Sequence, residues 1–320
     1  MTQTLASTPD EIVAGSWVPP QDVKEHSDAP IPPDADFFAA PPAEIGKVQS
    51  AQTSLKHGKS PWAMPMRFAL AATVGAVLGG GLYYVLTNAA RRPSDPEWFM
   101  LAGLVFALGF TVAWLSTGFK QTCSYVGEEG VARYTAKGSR ENLAKLEYLH
   151  FADAAEVRTA QTRHYYNGVY TGTSYAFTWT DPAGRRLLKL SGQHRGKKGR
   201  PKPSDPFHFA EAAEIAWSTY LLGTLDAQLA AQGYLQFNIK PGQFVRVGRG
   251  FFEFCLRDEV QKITREEIKS VNLSSGHFHI ATKDAKWFGR SGKFSFNYAN
   301  MANARLFLLA MDKLVGYRFG

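Results

Sequence analysis

Cysteine is scarce in this chain. Only Cys123 and Cys255 occur, 132 positions apart, and neither belongs to a Cys-x-x-Cys pair or a metal-spaced cluster. A disulfide scaffold is therefore excluded, and a reduced compartment with both thiols as small buried apolar groups fits best. No Ser or Cys stands in a Gly-x-Ser-x-Gly elbow, and His150, His164 and His208 are scattered. No basic stretch precedes an apolar run near Met1, so the start does not read as a secretory signal. At 45% hydrophobic residues, collagen-like and wholly disordered chains are excluded too. The 320 residues suggest roughly two domains plus extras, at about 150 residues per domain.

Motif-like fragments carry little chemistry. His57-Gly-Lys-Ser60 holds the end of a phosphate loop, but Thr53 stands where its leading glycine belongs. Gly79-Gly80-Gly81 lies inside an uncharged run and cannot cradle phosphate. His277 and His279 share a strand face, yet no third ligand accompanies them, so the plain strand pair is preferred to a metal site. Asn272-Leu-Ser274 matches a glycosylation acceptor that a cytoplasmic position would leave unused. Nothing assembles nucleophile, base and oxyanion stabiliser. The expectation is a non-enzyme with no catalytic residues, no cofactor and no metal.

Charge is distributed unevenly. The chain carries 36 bases and 28 acids, net +8, but residues 1–46 hold eight acids and one base, Lys24. Ten of the 17 prolines fall within the first 65 residues. Such a stretch buries too little apolar surface to offset its ordering entropy, so residues 1–64 read as a disordered, Pro-rich acidic tail. Pro30-Ile-Pro32-Pro33 is open to polyproline II, although a plain linker suffices.

Two long runs lack charge altogether: Phe68–Leu86, 19 residues, and Trp98–Phe119, 22 residues. About 20 residues of helix cross a hydrocarbon layer of roughly 30 Å, so residues 65–120 read as a transmembrane hairpin with spans 68–86 and 98–119. Trp98 and Trp114, 16 residues apart, would lie near opposite interfaces at about 24 Å of helical rise. Lys47, Lys56, Lys59 and Arg67 precede the first span and Lys120, Arg133, Lys137 and Arg140 follow the second, against Arg91 and Arg92 between them. That bias puts a multi-pass protein in the cell membrane with both termini cytoplasmic. Gly75-x-x-x-Gly79 and Gly103-x-x-x-Ala107 would let the helices approach closely.

The remainder is rich in strand signals. Tyr175, Phe177 and Trp179 alternate, as do Phe252, Phe254 and Leu256, and Phe294, Phe296 and Tyr298. Asn167-Gly168 and Asp181-Pro-Ala-Gly184 mark turns. Asp205-Pro206 opens a helix that Gly233 ends. Ile215, Leu222, Leu225 and Leu229 line one face of it and Trp217, Tyr220 and Leu221 a second, as in a helix held between two bodies. A final helix from about Asn300 to Val315 presents Phe307, Ala310, Met311 and Leu314.

The order of elements repeats. GEEGVARYT, LHFADAAEVRT and TSYAFTWTDPAGRRLLKLSG precede the long helix; GRGFFEFCL, ITREEIKSVNL and GHFHIATKDAKWFGRSGKFSF precede the last one. A strand-rich run closed by one amphipathic helix resembles the pleckstrin-homology-like (PH-like) barrel. With the hairpin, the chain resembles the uncharacterised membrane-anchored bacterial PH-like proteins, most of all in its ITREEIKSVNL segment. The resemblance covers about 195 of 320 residues, Thr122 to Val315. It implies an α+β architecture of two tandem PH-like modules, 121–233 and 234–320, each β-rich and closed by a C-terminal helix, and a scaffold or sensor role without a catalytic residue.

One basic run stands out: Arg185, Arg186, Lys189, Arg195, Lys197, Lys198, Arg200 and Lys202, with no acid between them. A solvated loop, 185–202, is the plain account. In a domain joined to a membrane helix, the same bases are candidate contacts for anionic lipid, each contributing on the order of 1 kcal/mol near a charged leaflet. The partners expected are therefore the membrane, through two spans, then anionic lipid and an unidentified protein. A weaker alternative is nucleic acid, because Lys197-Lys-Gly-Arg-Pro-Lys202 resembles the minor-groove AT-hook core.

Overall fold

The computed structural model describes residues 17–54, 64–90, 96–116, 120–137, 143–196, 200–256, 259–286 and 291–317. It is an α+β structure: two long apolar helices and four antiparallel sheets. The helices are α1 (Met64–Ala90) and α2 (Pro96–Ser116). The first sheet is a meander of β1 (Val48–Thr53), β2 (Lys120–Gly127), β3 (Gly130–Lys137) and β4 (Leu143–His150). A 3-10 turn, Phe151–Asp153, leads to the second sheet: β5 (Glu156–Tyr166), β6 (Val169–Thr180) and β7 (Arg186–His194). Helix α3 (Phe207–Gln232) follows.

The same order then recurs. β8 (Tyr234–Lys240), β9 (Gln243–Gly248), β10 (Phe251–Cys255) and β11 (Val260–Thr264) form a four-stranded meander. The 3-10 turn Arg265–Glu267 is held by a reciprocal capping box between Thr264 and Glu267. β12 (Ile268–Ser274), β13 (His277–Thr282) and β14 (Lys293–Asn297) make a three-stranded sheet. Helix α4 (Ala304–Ala310) and a π-helical turn, Met311–Val315, complete the chain. No sheet mixes strands from before and after Gly233 among the described residues.

Period-two alternation makes these strands, and the alternating aromatics fill the cores. Tyr175, Phe177 and Trp179 of β6 are buried with Trp217 of α3; Phe252, Phe254, Phe294 and Phe296 are buried with Phe307 of α4. Each such ring contributes about 1.5–3 kcal/mol by leaving water. Leu256 and Tyr298 pack against the second core without full burial. Asn167 and Gly168 both take positive φ, 48° and 78°, at the β5–β6 turn.

Helix α3 starts one residue after Pro206 and stops at Gly233, whose φ of 75° lets its N–H bond the Leu229 carbonyl at 2.8 Å. It does serve two bodies. Its first half enters the first core through Phe207, Phe209 and Trp217, whereas Leu221, Leu225 and Leu229 pack on the second. Ile215 and Leu222, expected on the inward stripe, are instead 42% and 44% exposed. Asn303, with φ of 53°, locks the halves together. Its side-chain oxygen accepts from Val157 N–H (3.0 Å) and Trp217 Nε1 (2.9 Å), while its own N–H donates to Val157 O (2.8 Å).

Three expectations are corrected. The first is the disordered tail. Residues 1–16 and 55–63 lie outside the described residues, but 17–54 are packed. Val23, Phe37, Phe38, Ala39 and Ile45 bury themselves on the outer face of the first sheet, against Ala51, Cys123, Tyr125, Ala132 and Tyr134. Trp17 sets its ring edge-on to Phe37 and Tyr125, at 5.0 and 5.2 Å. The prolines do not prevent this, because the segment closes its backbone bonds in local turns: Val23 N–H to Pro20 O, Ala35 N–H to Pro32 O, Ile45 N–H to Pro42 O.

The second correction concerns the boundary at 121. The first sheet takes its opening strand, β1, from before the apolar helices. Thr53 lies opposite Cys123 and Ser50 opposite Val126, so α1 and α2 are an insertion between two paired neighbours. The third concerns the basic loop: residues 186–194 of it are strand β7.

Candidate functional site at the hairpin end

The two strands that flank the inserted helices end side by side. Ser54 N–H donates to Thr122 O and Thr122 N–H to Ser54 Oγ, each at 2.9 Å. Helices α1 and α2 pack antiparallel: Phe68 meets Phe110, Tyr83 meets Phe99, and Arg67 lies 4.6 Å over the Trp114 ring while donating to the Trp114 carbonyl. Gly75 and Gly79 provide the close approach, since a Cβ on Gly79 would come within 2.7 Å of the Ala102 carbonyl. Across from them the small residues are Ala102 and Gly109; a Cβ added at Gly103 would meet nothing within 4 Å and Ala107 is exposed, so the expected second motif is not the one used. Elsewhere the pair is bare. Only 17% of each apolar window is buried, and Phe99, Met100, Leu104, Leu108 and Val112 stand outward. Both helices are long and apolar enough to cross a membrane.

The basic candidates fall into two groups. Arg185 is tied to Asp181, Nε to Oδ2 at 2.7 Å, at the β6–β7 turn. Arg186 and Lys189 project from the exposed face of β7. Arg195, Arg200 and Lys202 are exposed in the connection between β7 and α3; Lys197 and Lys198 lie outside the described residues. Arg186 and His194 are the two ends of β7, about 26 Å apart at roughly 3.3 Å per residue, so the described bases do not form one patch.

The second group belongs with the hairpin. Gln52 Nε2 donates to Pro203 O at 3.5 Å, and Ser204 and Phe209 line a cleft of about 400 Å³ with Thr53, Ser54 and Thr122. Phe207 sets its ring 5.2 Å from His194, the last residue of β7. Inside the cleft, Arg133 Nε donates to Glu147 Oε2 at 2.7 Å and the guanidinium lies 5.9 Å over Phe209. His26, from the N-terminal segment, is buried between Ser50 Oγ (2.8 Å) and Ser124 Oγ (2.9 Å). Burial pushes its pKa down to about 3, so it is neutral at pH 7.

Of the other sequence candidates, Cys123 lies beside Thr53 at this end, its thiol 3.6 Å from the Thr53 hydroxyl, and His277, His279 and Cys255 belong to the second half. His277 and His279 stack at 6.2 Å on an exposed face of β13, and no group of three His, Cys, Asp or Glu that could hold a metal occurs among the described residues. Cys123 and Cys255 are free and buried. A second cleft, about 700 Å³, opens in the second half over Ile239, Phe254 and Phe294, with Lys240, Glu259 and Lys293 among its lining. Glu214 of α3 is buried; burial raises its pKa, against the Thr159 hydroxyl at 2.7 Å and Arg305 at 3.8 Å, which favour the charged form.

Sequence reasoning missed His26, the Arg133–Glu147 pair and the length of the β5–β6 ribbon. Only the last had a signal: the runs on either side of Asn167-Gly168 exceed the nine residues of β7. In comparisons of the whole chain, no family model matches it and no curated protein matches it.

Proposed function

We propose that the chain is a non-catalytic, membrane-anchored scaffold with two cytoplasmic PH-like modules, in which the connection after β7 lies against acidic lipid. The observation that carries this reading is the insertion of two outwardly apolar helices between paired strands β1 and β2. The β1–β2 ladder requires Ser54 and Thr122 on one side of any membrane the helices cross, so an even number of spans follows from pairing alone. The basic residues flanking the helices then assign that side to the cytoplasm. The twofold recurrence of a four-stranded meander, a 3-10 turn, a three-stranded meander and a helix supports tandem PH-like modules. Lipid contact belongs to Arg195, Lys197, Lys198, Arg200 and Lys202, since Arg185, Arg186 and Lys189 start at the other end of β7.

The test uses the full chain in nanodiscs of neutral or acidic lipid. Hydrogen exchange across residues 195–206 should slow in acidic discs and recover as salt rises. Changing the five bases to Gln together should abolish that protection while leaving stability within about 0.5 kcal/mol, as for solvated surface positions. Equal exchange in both lipids would sink the lipid contact. A reporter fused after Gly320 that works only outside the cytoplasm would sink the topology. Salt-sensitive retention on A·T-rich DNA without lipid preference would favour the nucleic-acid alternative.

A further inference from the structure

We infer that the tip of the β5–β6 ribbon, Tyr165, Tyr166, Val169 and Tyr170, is a second membrane contact that seats in the headgroup layer beside the hairpin. The inference rests on the membrane anchorage proposed above.

The ribbon overshoots its sheet. β6 pairs with β7 only from Thr173, opposite His194, so residues Val169–Gly172 carry the ribbon past the end of β7 with β5 as their one strand partner. Four residues extend it by roughly 13 Å. On the β5 side and through the turn every residue from Gln161 to Val169 is exposed, whereas on the β6 side Tyr170 is half-buried and Gly172 buried at the base of the overshoot. At its end Tyr165 is 60%, Tyr166 72% and Val169 67% exposed, and Tyr165 sets its ring edge-on to Tyr170 at 5.9 Å.

Chemistry and position select the bilayer interface as occupant. A tyrosine ring offers an apolar body and a polar hydroxyl, the pairing that favours the boundary between hydrocarbon and water. No acid occurs from Val157 to Thr180, whereas Arg163 stands on the exposed stretch, so nothing near the tip repels an anionic leaflet. A Cβ on Gly172 would stand 3.3 Å from the Arg195 side chain, and Tyr170 donates to the His194 carbonyl, so the base of the ribbon adjoins the start of the β7–α3 connection, whose Pro203 meets Gln52 near the end of β1 from which the hairpin departs. The hairpin fixes the body near the bilayer, and a projecting aromatic tip on that end meets lipid without a further binding partner.

The experiment uses full-length protein in proteoliposomes. The native thiols Cys123 and Cys255 are buried, so single cysteines replacing Val169, Ala183 or Leu104 can be labelled with an environment-sensitive fluorophore. Nitroxide lipids labelled at the headgroup should quench Val169→Cys at least twofold more than Ala183→Cys, which lies at the opposite β6–β7 turn. Nitroxides deep in the acyl chain should quench Leu104→Cys in α2. Adding Tyr165→Ser and Tyr166→Ser to Val169→Cys should reduce its quenching to the Ala183→Cys level, with unchanged thermal unfolding. Val169→Cys quenched no more than Ala183→Cys, alongside a quenched Leu104→Cys, overturns the tip contact alone. An unquenched Leu104→Cys overturns the anchorage and the tip contact together. Quenching that survives the tyrosine changes assigns insertion to the label and also overturns the proposal.

Discussion

The two four-stranded sheets share an order of strands and differ in what covers their outer faces. On the first, Ala51, Cys123, Tyr125, Ala132, Tyr134 and Ala136 turn outward and are sealed by residues 17–45. On the second, the outward residues are mostly polar, charged or aromatic. Arg246 lies 4.5 Å over both Tyr234 and Phe244 and bonds Gln236 and Glu253, while Lys262 stands 3.9 Å over Phe251. The second face is self-sufficient in water; the first is not. Connections differ in parallel: β8 reaches β9 through Pro241-Gly242, whereas β1 reaches β2 through 66 residues carrying α1 and α2. A common order of strands thus tolerates a very large insertion at one turn, provided the chain before the insertion is fastened to what comes after it.

The largest test of this contrast is a pair of truncations on the two outer faces. Phe37→Ala should cost about 3–5 kcal/mol, the usual range for a buried aromatic, because Phe37 is only 2% exposed. Arg246→Ala should cost about 1 kcal/mol, since its ion pair and ring contacts remain partly hydrated. Denaturant melts of the two variants measure both values, and equal losses would erase the distinction between covered and self-sufficient faces.

Acid sharpens the contrast at intermediate size. His26 is held neutral, its pKa down at about 3 against 6.5 unfolded. The unfolded chain therefore binds a proton that the folded chain refuses. The stabilisation present above pH 6.5 is lost as pH falls from there toward 3, by up to about 1.4 kcal/mol per pH unit. The histidines of the second half's β13, His277 and His279, are exposed. Thermal midpoints taken between about pH 7 and pH 5 should fall more steeply for wild type than for His26→Gln. Parallel profiles would remove His26 from the account.

The smallest expected effect is a null. Replacing residues 55–121 by a two-residue Asn-Gly turn, as β8 joins β9, should yield a water-soluble chain whose melting temperature moves by no more than a few degrees. The β1–β2 ladder and the N-terminal cover remain in place, and the turn suits a two-residue hairpin. Calorimetry of the excised chain measures this; an unfolded or aggregated product would mean that the helices support the sheet as well as anchor it.

Much of this architecture was legible in residues. The alternating aromatics of β6, β10 and β14, the uncharged runs of α1 and α2, and the Pro206 and Gly233 boundaries of α3 are local signals, and each appears where local physics puts it. The N-terminal cover was illegible because its prolines and acids carry the composition of disorder. Its few apolar residues find value only on a sheet three of whose four strands come about 70 or more positions later. The basic run misled for a related reason: continuity of charge in sequence says nothing about a strand that carries its two ends to opposite sides of the body. The tilt of the second group toward the hairpin depended on Gln52 meeting Pro203, a contact across 151 positions.

The insertion between β1 and β2 also sets a timetable for biosynthesis. A ribosome adding about 5–20 residues per second takes roughly 3–13 s to pass from the end of β1 to the start of β2. Throughout that interval β1 has an open edge and its cover has no sheet to lie on, while two long apolar helices are made. Exposed strand edges invite pairing with other nascent chains, and charge and proline beside them suppress it. The eight acids and the prolines ahead of β1 are thus the composition of a waiting strand, kept single until its partner has been made.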